Sequence, residues 1–181
     1  MKVIENLNKA KVILYPTDTI WGIGCDATNP EAVAKIYKIK QRAETKSLVV
    51  LVSSIEMLET IVKNIPPKAL EIIQKSVQPT TIVYDEPVGI ATNAIGQDNT
   101  VAIRIASDDF CKNLIESFGK PIVSTSANIS GQPTPKQFTE IDSHILEAVD
   151  YIVDLHQERI SKKSSTILKI TKSNQVILIR E

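Results

Sequence analysis

The chain has 181 residues, a length that one domain with a well-filled core accommodates without metals or disulfides, so residues 1–181 are read as a single domain. Its 43% hydrophobic and 23% charged residues exclude an intrinsically disordered chain, and its longest uncharged apolar run, "SLVVLVSSI", is too short to cross a bilayer. The 21 basic and 21 acidic residues cancel, so a polyanionic partner must be met by a local cluster of cations and not by the field of the whole molecule.

The start, "MKVIENLNKAK", turns polar within a few residues and carries no secretory pattern, so a cytoplasmic protein with no membrane association is expected. Val12 to Leu14 then read as a buried strand. Next comes "YPTDTIWGIGCDATN", which reads as a long loop too apolar for disorder and therefore as a candidate functional segment. Asn29 followed by Pro30 opens a helix over "PEAVAKIYKIKQ", with Ala32, Val33, Ile36 and Ile39 on its inner face. A buried strand "SLVVLV" follows, then helices starting near Ser54 and at Pro66-Pro67, then the strands "TTIVY" and "TVAIRI". Asp108 and Asp109 open a helix that ends near Gly119, ahead of the strand "PIVSTS" and the turn-rich "ANISGQPTP". A helix around Asp142 to Val149 and the strands "YIVDL", "SSTILKI" and "QVILIR" complete a mixed α/β domain.

Four further segments hold side chains that suit ligand chemistry. "KIKQRAETKSL" places Lys38, Lys40, Arg42 and Lys46 close together. On a continuous helix Lys40 and Arg42 point to opposite sides, so they converge on one anion only if the helix stops between them; otherwise this is a solvated basic helix end. "STSANISG" follows an apolar strand, and its small hydroxyls and amide either bind phosphate or ribose or merely cap a turn. In "TVAIRI", alternation puts Thr100, Ala102 and Arg104 on one face, either toward solvent or toward an anionic ligand. Ser164-Ser165-Thr166 and Arg180 lie in the last two strands. Cys25 and Cys111 fit unpaired buried thiols, and His144 and His156 have no partners at metal-ligand spacing.

Taken in order, "YPTDTIWGIGCDA", "KIKQR", "STSANISG" and "SSTI" resemble the YrdC family of threonylcarbamoyl-AMP synthases, in its single-domain type, over most of the chain. The resemblance implies an open twisted mixed sheet with helices packed around a large central groove. It also implies condensation of L-threonine, bicarbonate or CO2, and ATP to threonylcarbamoyl-AMP and pyrophosphate, for threonylcarbamoyladenosine in tRNA. By similarity, Thr17, Thr19, Arg104, Ser126 and Ser165 would hold threonine. Lys40, Arg42, Lys46, Thr100, Asn128, Lys136 and Arg180 would hold the nucleotide, with Lys40 and Arg42 catalytic. Mg²⁺ would arrive with ATP, and the product would pass to the tRNA threonylcarbamoyl transferase complex, with little or no direct tRNA binding. "KIKQRAETKS" is expected to close over the groove. Trp21 stands where many members have tyrosine, which bears on the threonine pocket. The competing readings are a YciO-type paralogue with another nucleotide-dependent activity and an RNA-binding module, the latter disfavoured by neutral charge and 4% aromatic content.

Overall fold

Side-chain caps at Asn29, Ser54 and Asp108 start three of the helices where the sequence places them. The structure, a computed structural model, describes residues 1–43, 48–161, 163–171 and 174–181. In chain order these form α1 (Lys2–Asn8), β1 (Ile13–Tyr15), β2 (Gly22–Asp26), α2 (Pro30–Ile39), β3 (Val49–Val52), α3 (Ile55–Ile61), α4 (Pro67–Lys75) and β4 (Thr80–Asp85). Then come β5 (Thr100–Ile105), α5 (Asp109–Phe118), β6 (Ile122–Ser126), α6 (Ser143–Ala148), β7 (Tyr151–Ile152), β8 (Thr166–Ile170) and β9 (Val176–Arg180). Asn29 accepts from the amide of Ala32 at 2.9 Å, Ser54 from Met57 at 3.2 Å, and Asp108 from Cys111 at 2.9 Å. Each thereby satisfies one of the orphan donors at a helix start. Gly119, with φ +75°, closes α5 in the left-handed conformation that glycine adopts without penalty.

The strands form one open, mixed sheet in the order β7-β1-β2-β6-β3-β5-β4-β8-β9. β1 with β7, β3 with β5, and β4 with β8 run parallel, while the other neighbours are antiparallel. Alternation assigns each face a core. Leu14, Ile23, Val50 and Val52 join Val33 and Ile36 of α2, Leu58 of α3 and Ile145 of α6 on one side. Ile13, Tyr15, Leu51 and Ile122 join Leu7 of α1 and Leu114 and Phe118 of α5 on the other. This second face is covered only in part, because α1 and α5 are its only helices among the described residues. Val49, Ser124, Ser126, Thr100, Ala102 and Arg104 share the face of Leu51 and Ile122 by the period of two, and they line a cavity.

Two elements depart from the sequence reading. The stretch Tyr15 to Asn29 is not one long loop: β1 and β2 form a hairpin in which Tyr15 pairs with Gly22, leaving residues 16–21 as the connection. β2 is buried at all five positions and lies between β1 and β6. Two glycines in five residues hid it, since glycine weakens strand patterns. The polar N-terminus forms α1, whose Val3 and Leu7 are buried although no side chain caps it.

Candidate active site

The cavity holds about 640 Å³, within the range of small-molecule sites, and its wall draws on segments from Thr17 to Arg180. Arg42, Arg104, Arg180 and Lys169 line it, against Asp98 as the carboxylate among the lining residues. A chain of zero net charge has therefore gathered cations into one depression. Burial lowers the pKa of Arg42 and of Arg180, and the charge of Arg104 adds to the shift at Arg180. Cations that destabilise one another in a partly desolvated wall are an anion site in waiting.

Arg42 reaches the wall because α2 stops where the two cations require. Lys40 caps the helix, Gln41 takes φ +50°, and Gln41 and Arg42 donate back to the carbonyls of Lys38 (3.1 Å) and Tyr37 (2.9 Å). This is a Schellman closure with glutamine where glycine is usual, a choice that costs about 1 kcal/mol. The reversal separates the fates of its neighbours. Arg42 turns to the cavity, whereas Lys40 is almost fully buried and does not line it.

The ammonium of Lys40 donates to the carbonyls of Ser126 (2.5 Å) and Asn128 (2.6 Å), with Asn128 Oδ1 at 3.4 Å. Its own carbonyl accepts from the amide of Ser130 at 2.8 Å. Three protons meet three acceptors, so the residue expected to bind phosphate instead clasps the loop after β6 to the end of α2. Asn128 is engaged in the same loop. Its amide donates to the carbonyls of Gln132 (2.7 Å) and Ile129 (3.1 Å), closing the turn, and it is not among the cavity's lining residues. Lys136 is exposed and away from the wall, where Thr134 stands in that loop. Lys46 lies outside the described residues, as do residues 44–47 of the segment expected to close over the groove.

Desolvation, then the charge of Arg42, pushes Lys40 down to about 8. Because the unfolded lysine holds its proton to higher pH, the folded state releases it first, and stability rises with pH through that window. The difference in unfolding free energy between wild type and Lys40→Met should therefore move in favour of wild type by about 1 kcal/mol from pH 7.5 to 9. Comparing the two proteins cancels the opposite pull of the buried thiols Cys25 and Cys111, whose pKa values burial raises. Denaturant titrations at three pH values measure it. An unchanged difference would mean that the carbonyls keep the amine charged.

Thr17 and Thr19 both face the cavity from the hairpin connection. The single proton of Thr17 goes to the carbonyl of Ile20 at 2.7 Å, and its oxygen accepts from the amides of Thr19 (3.1 Å) and Ile20 (3.3 Å). Thr17 thus shapes the turn, while the hydroxyl of Thr19, 3.0 Å from that of Thr17, can turn to a ligand. Thr100 donates to Asp98 at 2.8 Å, and Asp98 lies 3.8 Å from Lys169. Ser165 shares a hydrogen bond of 2.7 Å with Thr81, and its carbonyl accepts from Arg180 at 2.9 Å. Trp21 does not enter the pocket; it packs in the core against Phe138, ring centroids 5.0 Å apart.

The wall thus collects Thr17, Thr19, Arg42, Thr100, Arg104, Ser126, Ser165 and Arg180 from the expected set. Ser124, which opens the candidate segment "STSANISG" but was given no role of its own, shares its strand face with Ser126 and lines the wall too. Sequence reasoning missed Asp18, whose carboxylate pairs with Arg104.

Residues 5–181 match the family profile Sua5_yciO_yrdC, described as telomere recombination. The threonylcarbamoyl-AMP synthase of Pseudoalteromonas translucida is 38% identical over 156 residues, 83% of this chain and 82% of that protein. Among solved structures, Pyrococcus abyssi Sua5 complexed with L-threonine superposes with a TM-score of 0.85 at 26% identity over 99% of this chain, which spans about half (52%) of that one. E. coli YciO, at 22% identity and a TM-score of 0.86, covers 99% of this chain and 87% of its own and shares the fold.

Proposed function

The chain belongs to the Sua5/YciO/YrdC family, and from that premise we propose that it is a threonylcarbamoyl-AMP synthase acting in tRNA modification. L-threonine and CO2 give a carbamate. Its oxygen attacks the α-phosphorus of ATP, and pyrophosphate leaves. The observation that carries this reading is the convergence of Arg42, Arg104 and Arg180 on one cavity whose lining also includes Thr19 and Ser126. The reaction needs no covalent nucleophile. It needs three anions brought together and the charge on the phosphate oxygens neutralised, which guanidinium groups do well. Arg42 faces the phosphates, Arg104 the threonine carboxylate, Thr19 the threonine hydroxyl, and Thr100 and Arg180 the nucleotide.

The wall suits magnesium that travels with the nucleotide. Its carboxylate, Asp98, is engaged by Thr100 and Lys169, so no group of acidic ligands stands ready among the described residues, and the ion would be held by phosphates and water while it offsets their charge. Bicarbonate supplies the carbon, and the adenylate passes to a threonylcarbamoyl transferase. Among the described residues no helix is long and apolar enough to cross a membrane.

The test is pyrophosphate release from ATP that requires both L-threonine and bicarbonate. ATP binding without such release would overturn the reading and fit a YciO-type activity. Calorimetry supplies a second check. Thr19→Val should weaken L-threonine binding about tenfold or more, because the ligand hydroxyl loses its buried partner, and wild type should reject L-valine for the same reason.

A further inference from the structure

The geometry points to Asp18 as the positioning residue that holds Arg104 in register with Thr19, and so sets affinity for the amino-acid substrate without touching it. Asp18 sits between the two threonines of the hairpin connection, yet it is not among the residues lining the cavity. Its side chain is 7% exposed. One carboxylate oxygen accepts from Arg104 Nη1. The other accepts from Ser107, from its hydroxyl at 2.5 Å and its amide at 3.4 Å. A single buried carboxylate therefore ties the connection that bears Thr19 both to the middle of the sheet, at β5, and to the segment that leads into α5.

The charge matters as well as the tether. Arg104 is 4% exposed in a strand flanked by apolar neighbours, and a lone guanidinium at such a depth is costly unless paired. Asp18 supplies the pairing from behind and restrains the plane of the fork, which bidentate recognition of a carboxylate requires. The Nε of Arg104 is buried without a hydrogen-bond partner among the described residues. Asp18 takes one of the five guanidinium donors, so others remain for a ligand carboxylate at the cavity wall. In this arrangement the plane of Arg104 is held by Asp18 before the ligand arrives, so the ligand meets an oriented fork and not a wandering side chain.

The assignment rests on threonine as the amino-acid substrate, so the experiment separates the two. Steady-state kinetics and calorimetry would compare wild type, Asp18→Asn and Ser107→Ala. Asp18→Asn keeps the shape and can still bond Ser107, but it removes the charge beside Arg104. It should raise KM for L-threonine about 10-fold to 100-fold while KM for ATP stays within about twofold. Ser107→Ala loosens the tether and leaves the ion pair, so its KM for L-threonine should stay near that of wild type. Equal effects of the two variants on KM for threonine, or equal effects of Asp18→Asn on both substrates, would overturn the proposal. If Asp18→Asn does not fold, Asp18→Glu, which keeps the charge but displaces it, carries the same test through its threonine-to-ATP split. Wild type that binds ATP but no L-threonine would overturn the functional reading itself; wild type that binds both, with Asp18→Asn unaffected, overturns only the role of Asp18.

Discussion

Arg42→Ala should lower kcat for threonine-dependent pyrophosphate release by about 10²-fold to 10³-fold, the loss that follows removal of one preorganised donor from a site of developing negative charge. The fold should survive, because Arg42 follows the Schellman closure and the backbone bonds that end α2 do not use its side chain. Its guanidinium is half-buried in a wall that already holds two others, and burial lowers its pKa. Burial penalises its charged form and a polyanion would offset that penalty, so the effect should appear chiefly with ATP. Arg42→Lys should recover only part of the rate, since an ammonium keeps the charge but not the fork. Lys40→Met should behave differently despite its place two residues earlier: its loss should show as lowered stability of the loop after β6 before it shows in nucleotide affinity. Rates for Arg42→Ala within about threefold of wild type would remove the phosphate role assigned to this residue.

Gly24→Ala is the second large effect, and it falls on stability. A Cβ built there would lie 2.6 Å from the carbonyl oxygen of Val123 and 2.6 Å from the ring of Tyr15. The carbonyl belongs to β6, hydrogen-bonded on both flanks inside the sheet, and the ring is wholly buried, so neither has room to retreat. The cost should reach about 3 kcal/mol, the upper part of the overpacking range, and lower Tm by about 6 to 12 °C for a chain of this size. Gly22→Ala makes the contrast. Its Cβ would meet Ser124 Oγ at 3.2 Å and Thr17 Cγ2 at 3.4 Å on the cavity side, so it should spare the melt and raise KM for substrate. A Gly24→Ala protein that melts within about 2 °C of wild type would show that β1, β2 and β6 can spread apart.

Periodic features were legible beforehand, and contacts between distant segments were not. The alternation of Thr100, Ala102 and Arg104 put the three on one face of β5 and left open whether it met solvent or an anion; all three line the cavity. The need for α2 to stop between Lys40 and Arg42 was also readable from helical geometry. That it stops through Gln41 at positive φ was not, because glutamine carries none of the turn preference that glycine or asparagine would have shown. The contacts of Lys40 were out of reach for another reason. A lysine two residues from an arginine looks like half of an anion clamp, and only the folded chain brings carbonyls 86 and 88 positions away to absorb its protons. Asp18 escaped notice likewise, since its partners Arg104 and Ser107 lie 86 and 89 residues on.

The placement of β9 at one rim of the sheet governs when the protein becomes competent. Arg180 and Ile179 form part of the wall that begins, at the other extreme, with Thr17. The wall is complete only when β9 has zipped onto β8. Thereafter every ligand held in the cavity resists the peeling of that outermost strand, by mass action. Substrate abundance would thus protect the strand at the rim of the sheet.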